Sequence, residues 1–224
     1  MDKQPLISIL MNCFNGEKYL EEALKSIIQQ SYKNWELIFW DNKSHDKSIQ
    51  IVSSFKDKRI KIYESSKHTN LGKARKSAFS KTNGDYLAFL DVDDIWHKEK
   101  LSTQIKVFND DRIGASFTNS LYFSKRRKKN LYNEKAQIIV NTKSLITNYP
   151  LSLVSIMIDI RKLKNLEYIF DENYSHISDF DLIVRLSTIS KVKYLNKVLS
   201  GWRIHGNNES SKKKELFNKE KEKW

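Results

Sequence analysis

Three carboxylates stand within four positions at Asp91-Val92-Asp93-Asp94. Packed so closely, they repel one another unless something positive joins them. A hard divalent cation with oxygen ligands is the simplest partner, and Mg²⁺ or Mn²⁺ often bridges such acids to a substrate's phosphates. A plain acidic turn is the alternative, because Asp is common in turns and at helix starts. Ahead of the acids runs Tyr86-Leu87-Ala88-Phe89-Leu90, an apolar stretch bounded by Gly84 on one side and the acids on the other. Such a run reads as a buried strand and suits a parallel sheet covered on both faces. In open α/β sheets, ligands bind beyond the carboxyl ends of the strands. The three acids would stand there.

The elements that must position these acids alternate in type. Residues 6–11 form a first short strand, broken by the polar turn Asn12-Cys13-Phe14-Asn15-Gly16. The spacing of Leu20, Ala23, Leu24, Ile27 and Ile28 predicts a helix from Glu17 onward. Glu17, Glu21 and Glu22 fall in its early turns, where they suit the helix dipole. A second strand over residues 35–40 ends at Asp41-Asn42. Asp46 is expected to N-cap a helix carrying Ile49, Val52 and Phe55. Residues 60–63 read as a third strand, 71–80 as a helix after Asn70, and 86–90 as the fourth strand. The order β-α-β-α-β-α-β with short connections implies a parallel, Rossmann-like sheet. Asp41 and the Asp91–Asp94 cluster would then open on one edge. No G-x-G-x-x-G follows the first strand and no G-x-x-x-x-G-K-[ST] occurs, which disfavours a dinucleotide dehydrogenase and a P-loop nucleotidase.

A length of 224 residues points to one domain, with 39% hydrophobic and 12% aromatic residues to build its core. The net charge of +13 favours anionic partners: nucleic acid, anionic lipid or phosphorylated substrates. A single cysteine, Cys13, excludes an internal disulfide and fits a reducing compartment. No apolar run reaches the ~18 residues of a membrane span, and the N-terminus is a poor signal peptide. A soluble cytoplasmic protein is the expectation.

Four blocks of the chain resemble the inverting glycosyltransferases of family 2, which have the GT-A fold. They are residues 7–48 (ISILMNCFNGEKYLEEALKSIIQQSYKNWELIFWDNKSHDKS), 70–94 (NLGKARKSAFSKTNGDYLAFLDVDD), 177–187 (ISDFDLIVRLS) and 201–205 (GWRIH). The resemblance implies an α/β GT-A domain over residues 1–210. Residues 5–119 would be its nucleotide-sugar half, 120–210 its acceptor side, and 211–224 a basic Lys/Glu-rich tail.

Carried over residue by residue, the resemblance implies the following site. Asn12, Phe14 and Asn15 match the P-T-Y-N turn under the nucleotide base, with Asn12 in place of the proline. Asp41 matches the first acid of the D-D-G-S pair that reads a uracil edge. Asn42 replaces the second acid and Lys43 the glycine. Gly72 and Arg75 match the segment passing near the nucleotide and its phosphates. Asp91-Val92-Asp93 is the D-x-D, in which Asp93 is the more direct ligand of Mn²⁺ or Mg²⁺. Asp179 matches the general base of the E-D-x-D segment, where Ser178 replaces the preceding Glu. Asp181 is the second candidate. Arg203 and His205 match the Y-R-x-H segment that approaches the diphosphate and, through His205, the metal. Trp202 replaces its tyrosine.

The implied chemistry is a single displacement. A cation and nearby Arg75, Arg203 or His205 would neutralise the leaving diphosphate. Asp179 would take the proton of the attacking hydroxyl. The donor would be a UDP-sugar. The acceptor would be a glycan or lipid-linked hydroxyl in bacterial surface polysaccharide synthesis, of the kind that builds lipopolysaccharide or capsule.

The second half is read more coarsely. Leu101, Ile105 and Phe108 mark a helix face. Residues 113–119 and 121–123 read as two strands, 125–130 as a basic hairpin or loop, 143–149 as a short helix and 154–158 as an apolar strand. The tail from 210 to 224 is expected to be a solvated helix or a frayed end. With the 125–129 cluster it could dock peripherally on anionic lipid at the inner membrane face. Two rivals remain. A nucleotidyltransferase would want a Gly-rich basic loop after the first strand, which residues 12–16 lack. A nucleic-acid binder would interleave basic and aromatic residues on one surface. Most aromatics here lie in apolar strand patterns, so no nucleic-acid partner is expected.

Overall fold

The computed structural model describes residues 4–124, 127–132, 139–149, 151–206, 208 and 214–224. Four strands open the chain: β1 (Ile7–Cys13), β2 (Trp35–Asp41), β3 (Ile60–Glu64) and β4 (Tyr86–Phe89). Helices α1 (Glu17–Ile28), α2 (Ser48–Ser54) and α3 (Leu71–Phe79) connect them. The strands pair in parallel in the spatial order β3-β2-β1-β4. Cys13 lies opposite Asp41, and Asp41 opposite Glu64, so the strand ends are level. That register carries the polar turns after β1, β2 and β4 to one edge.

The second half extends the same sheet. Its elements are β5 (Ile95–Trp96), α4 (Lys100–Gln104), β6 (Ile113–Phe123), β7 (Lys128–Asn130), β8 (Ile139–Val140), α5 (Thr142–Thr147), β9 (Met157–Asp159), α6 (Ile160–Leu163), α7 (Ser178–Ile189) and β10 (Lys191–Arg203). A last helix spans Lys214–Lys223. Strand β9 is antiparallel to both β4 and β6, and β6 is parallel to β10. The path through the sheet is β3-β2-β1-β4-β9-β6-β10-β5. The fold is α/β, with a mixed, mostly parallel sheet flanked by helices. Among the described residues, no helix is long and apolar enough to cross a membrane.

Alternation along β1 divides the core. Ile7, Ile9 and Met11 face Leu20, Leu24 and Ile27 of α1 and Val52 of α2. Leu10 faces the other side, where Ala78 of α3 and Phe180, Ile183 and Leu186 of α7 pack. Each such side chain withdrawn from water is worth about 1.5–3 kcal/mol. Ser8 of β1 and Glu36 of β2 are polar residues buried in this sheet. Glu36 accepts from Ser8 Oγ, Lys61 Nζ and Asn83 N, each at 2.6 Å. Burial opposes the charge, yet these bonds hold the Glu36 carboxyl below its ordinary range.

Several sequence expectations are corrected. Asp46 does not N-cap α2, which starts after Lys47. Its Oδ2 instead accepts from Glu17 N at 2.9 Å, capping α1 from outside, while its Oδ1 accepts from Ser48 N and Oγ. Residues 113–123 form one strand, because the buried polar pair Asn119-Ser120 is satisfied within the sheet: Asn119 Nδ2 donates to Tyr132 O, and Ser120 Oγ meets Ser200 Oγ at 2.7 Å. The expected strand over 154–158 begins later, at Met157. Ser155 donates through N and Oγ to Ser152 O and closes a 3₁₀ turn over Leu153–Ser155. The face marked by Leu101, Ile105 and Phe108 is α4 continued by a tighter 3₁₀ turn, Ile105–Asn109. The basic hairpin is described only from Arg127, since residues 125–126 lie outside the described residues.

The tail forms a helix, one of its two expected forms, and most of it is exposed. Residues 214–224 are neither frayed nor merely solvated. Phe217 packs against the second core, Lys221 Nζ donates to Ile146 O at 3.0 Å, and the Trp224 ring stands edge-on to Phe180.

Candidate active site

At the ends of β1 and β2, two turns interlock. Asn15 N donates to Ser44 Oγ and His45 N to Asn15 Oδ1, both at 2.9 Å. Gly16 N donates to Ser48 Oγ at 2.9 Å. Asn15 and Lys43 take left-handed backbone conformations, with φ of 54° and 72°. A glycine adopts that region freely, whereas Lys43 occupies it at a cost of about 1 kcal/mol. Asp41 is buried between the turns. Its Oδ2 accepts from Ser44 N, but Oδ1 has no hydrogen-bond partner among the described residues. Asn12 Nδ2 is likewise buried and unpartnered. Buried polar atoms are rarely left so. Beside them Phe14 is 46% exposed, with the His68 ring 4.1 Å away centroid to centroid and His45 edge-on at 6.4 Å.

At the end of β4 the acids meet the end of β10. Asp93 Oδ2 and His205 Nε2 are 2.8 Å apart. Asn208, buried, donates from Nδ2 to Arg203 O at 2.9 Å, and its Oδ1 accepts from His205 N at 2.6 Å. Asp94 Oδ1 accepts from Arg203 N at 2.8 Å. Burial, with Asp93 and Asp91 nearby, pushes the Asp94 carboxyl well above its ordinary range. Arg203 was expected to reach a diphosphate. Instead Nε donates to Asp93 O, Nη2 pairs with Glu22 Oε2 at 2.5 Å, and the guanidinium lies over Tyr19 and Phe123. It braces the acidic turn.

Among the described residues, no group of three or more His, Cys, Asp or Glu is gathered to hold a metal by itself. The facing Asp93 and His205 atoms are an oxygen and nitrogen donor pair that suits a cation completed by phosphate and water oxygens.

The third group lies at the start of α7. Arg75, buried on α3, donates from Nη1 to Ser178 Oγ and sits 3.9 Å from Asp179 Oδ1. Tyr149 OH donates to Asp179 Oδ2 at 3.3 Å. Burial, and the negative charge of Asp179, push the Tyr149 hydroxyl well up, so it stays a donor. Burial also raises Asp91 to about 6; Arg75 pulls it down, and Asp93 and Asp179 push it up. Arg75 therefore links the D-x-D turn to the helix carrying Asp179.

One expected site residue is placed elsewhere, and a second has a packing role. Asp181 is fully buried, held by Arg185 at 2.6 Å and by Trp224 Nε1 at 2.9 Å, so it does not face this edge as a free carboxylate. A Cβ on Gly72 would lie 2.1 Å from Tyr174 O and 2.6 Å from Asp171 O. Gly72 thus lets α3 approach that loop. Sequence reading missed His68, Asn208 and Tyr149, which stand in or beside polar segments without periodicity.

The model of the family described as "Glycosyl transferase family 2" matches residues 8–169. The chain is 28% identical over 221 residues to the Escherichia coli UDP-Glc:alpha-D-GlcNAc-diphosphoundecaprenol beta-1,3-glucosyltransferase WfgD, covering 98% of this chain and 84% of that one. It is 31% identical over 216 residues to an uncharacterized glycosyltransferase of Methanocaldococcus jannaschii, covering 91% and 72%. Its structure superposes on S. aureus TarS 1-349 with a TM-score of 0.76 at 20% identity, over 88% of this chain and 60% of that one. A mannosyltransferase from Pyrobaculum calidifontis, solved with GDP-Man and Mn²⁺, gives a TM-score of 0.73 at 13% identity, covering 95% of this chain and 61% of that one. With the family match spanning residues 8–169, which include the turns after β1 and β2 and the acids Asp91 to Asp94, the chain belongs to glycosyl transferase family 2.

Proposed function

We propose that this glycosyltransferase moves a sugar from a uridine diphosphate donor to a hydroxyl of a lipid-linked glycan, with inversion at the anomeric carbon. The observation that carries the reading is the 2.8 Å approach of Asp93 Oδ2 to His205 Nε2 across 112 residues of chain. It joins the acidic turn after β4 to the end of β10, and this acid–imidazole pair supports a cation and diphosphate site there.

The unpartnered acceptor Asp41 Oδ1 and donor Asn12 Nδ2 suit a pyrimidine edge, and Phe14 offers it an exposed ring. Asp93 and His205 would hold Mn²⁺ or Mg²⁺. When bound, the cation would supply Lewis-acid neutralisation of the leaving diphosphate. Arg75, 3.9 Å from Asp179 Oδ1, and Tyr149, which donates to its Oδ2, orient the carboxylate. Asp179 then accepts the proton of the acceptor hydroxyl as that oxygen attacks. Asp181 serves by holding Arg185 inside α7 rather than as a base.

The acceptor assignment leans on WfgD, whose name gives a diphosphoundecaprenol-linked substrate. Exposed Arg127, Lys128 and Lys129 support it, because β7 pairs with Leu121–Phe123, beside Arg203. Basic residues at that edge suit an anionic lipid surface and peripheral, cytoplasmic-face association.

The test is thermal stability against UDP, GDP, CDP and dTDP, each with and without Mn²⁺. Stabilisation by UDP that needs the metal and disappears in Asp93→Ala is expected. A ligand at 100 times its dissociation constant adds about 2.7 kcal/mol. A response to GDP alone would overturn the uridine reading, and no response to any nucleotide would overturn the donor site.

A further inference from the structure

We infer that Glu220 and Lys221 of the C-terminal helix, with Trp224 just beyond it, are positioning residues for the base helix; this rests on reading Asp179 as the base. The helix α7 begins at Ser178 with Ile177 as its N-cap, and no side chain of that cap satisfies its first amides. Open N–H groups at a helix start need partners. Glu220, 43 to 45 residues further along the chain, holds the N-cap amide and the two before it: Oε1 accepts from Ser175 N at 3.1 Å, and Oε2 accepts from His176 N at 2.8 Å and Ile177 N at 3.2 Å. One carboxylate thereby fixes the three residues that lead into Ser178-Asp179.

The same turn of chain grips α7 from a second side. Trp224 Nε1 donates to Asp181 Oδ1 at 2.9 Å, and its ring stands edge-on to Phe180, 5.1 Å between centroids. It also reaches the segment that presents Tyr149. Lys221 Nζ donates to Ile146 O at 3.0 Å and lies 5.0 Å from the Phe180 ring centre, while Tyr149 packs edge-on to that ring at 5.2 Å. Phe180 therefore stands between Trp224 and Tyr149. The residues on either side of Asp179, and the segment that carries Tyr149, its hydrogen-bond donor, are thus held by the end of the chain. A shift of the base by about 1 Å can cost a hundredfold in rate, so this brace acts on turnover rather than on donor affinity.

The experiment uses the full chain and three readouts. Hydrogen exchange reports the amides of residues 175–177, UDP titration reports donor-site affinity, and UDP release from UDP-glucose reports turnover. In Glu220→Ala, faster exchange at those amides is expected, with UDP affinity within twofold and kcat at least tenfold lower at unchanged KM. Glu220→Gln keeps one oxygen for His176 N and Ile177 N but loses the acceptor for Ser175 N, so a loss of kcat smaller than that of Glu220→Ala is expected, which separates positioning from a failure to fold. In the Asp179→Asn background, Glu220→Ala should lower the residual rate no further. Unchanged exchange, an unchanged kcat, or an equal further loss in that background would overturn the brace. Full activity in Asp179→Asn alone would instead remove the base reading, and the brace with it.

Discussion

Asn42 holds Thr69 on three atoms: Nδ2 donates to Thr69 O at 2.7 Å, while Oδ1 accepts from Thr69 N at 3.1 Å and Oγ1 at 3.0 Å. His68 Nδ1 adds a contact to Asn42 O at 3.1 Å. The resemblance to the D-D-G-S pair marks Asn42 as a departure, and the structure gives it a reason. An amide both donates and accepts, and a carboxylate does not. Asn42→Asp would set a carboxylate oxygen against the Thr69 carbonyl and loosen the loop that carries His68. A loss of about 1–3 kcal/mol in unfolding free energy is expected, measured by urea denaturation at neutral pH. Parental stability in Asn42→Asp would show that the clamp carries no weight.

Gly72 separates packing from ligand contact. A Cβ there meets two backbone oxygens, Tyr174 O and Asp171 O, which cannot swing aside like a side-chain tip. Gly72→Ala should therefore destabilise by about 1–3 kcal/mol or more. Gly206, whose Cβ would meet nothing within 4 Å, is the control, and Gly206→Ala should be neutral. Equal melting temperatures for the two variants would refute the close-approach account.

The first half of the molecule was legible in sequence because its signals are local. Leu20, Ala23, Leu24 and Ile27 repeat at helical spacing, and all four are buried. Asp41 and Asp93 could be placed at one edge because parallel strands end together. The second half hides its pairing. Strand β10 meets β6 through three register shifts, and its middle, Asn196 to Val198, is exposed. Strand β5 has two residues. The roles of Glu220 and Trp224 depend on partners more than 40 residues back, which no periodicity marks. Arg203 was legible as a neighbour of the acids but not as a brace, since its pairing with Glu22 spans 181 residues.

Asp179 and Tyr149 should separate chemistry from donor binding. Loss of a positioned general base commonly costs 10²–10⁴ in rate. Asp179→Asn keeps the shape, and kcat for sugar transfer should fall by about that factor while UDP-induced stabilisation is retained. Tyr149→Phe removes one 3.3 Å hydrogen bond and leaves the ring against Phe180. A loss of about tenfold in kcat/KM is expected. A Tyr149→Phe loss as deep as that of Asp179→Asn would assign the proton chemistry to the phenol instead.

Lys100 sets the sign of one pH dependence. Its side chain is fully buried, Nζ donates to Gln104 Oε1 at 2.5 Å and lies 4.4 Å from the Trp96 ring centre, and burial lowers its pKa from 10.5 to about 7. Below pH 7 the lysine is charged in both folded and unfolded chains, and the full desolvation cost is present. Between pH 7 and 10.5 the unfolded chain binds more protons than the folded one, so this group makes stability rise with pH, by up to about 1.4 kcal/mol per unit. Lys100→Met abolishes that slope and orphans only Gln104 Oε1, since Gln104 Nε2 keeps Ser116 and Ser155 as partners. The difference in unfolding free energy, variant minus parent, should therefore be most favourable to the variant near pH 7 and shrink steadily toward pH 10. Denaturation series at pH 7, 8 and 9 measure it directly, because all other titrations cancel in the difference. A difference that stays constant across that window would mean that Lys100 reaches water in the folded protein and keeps an ordinary pKa.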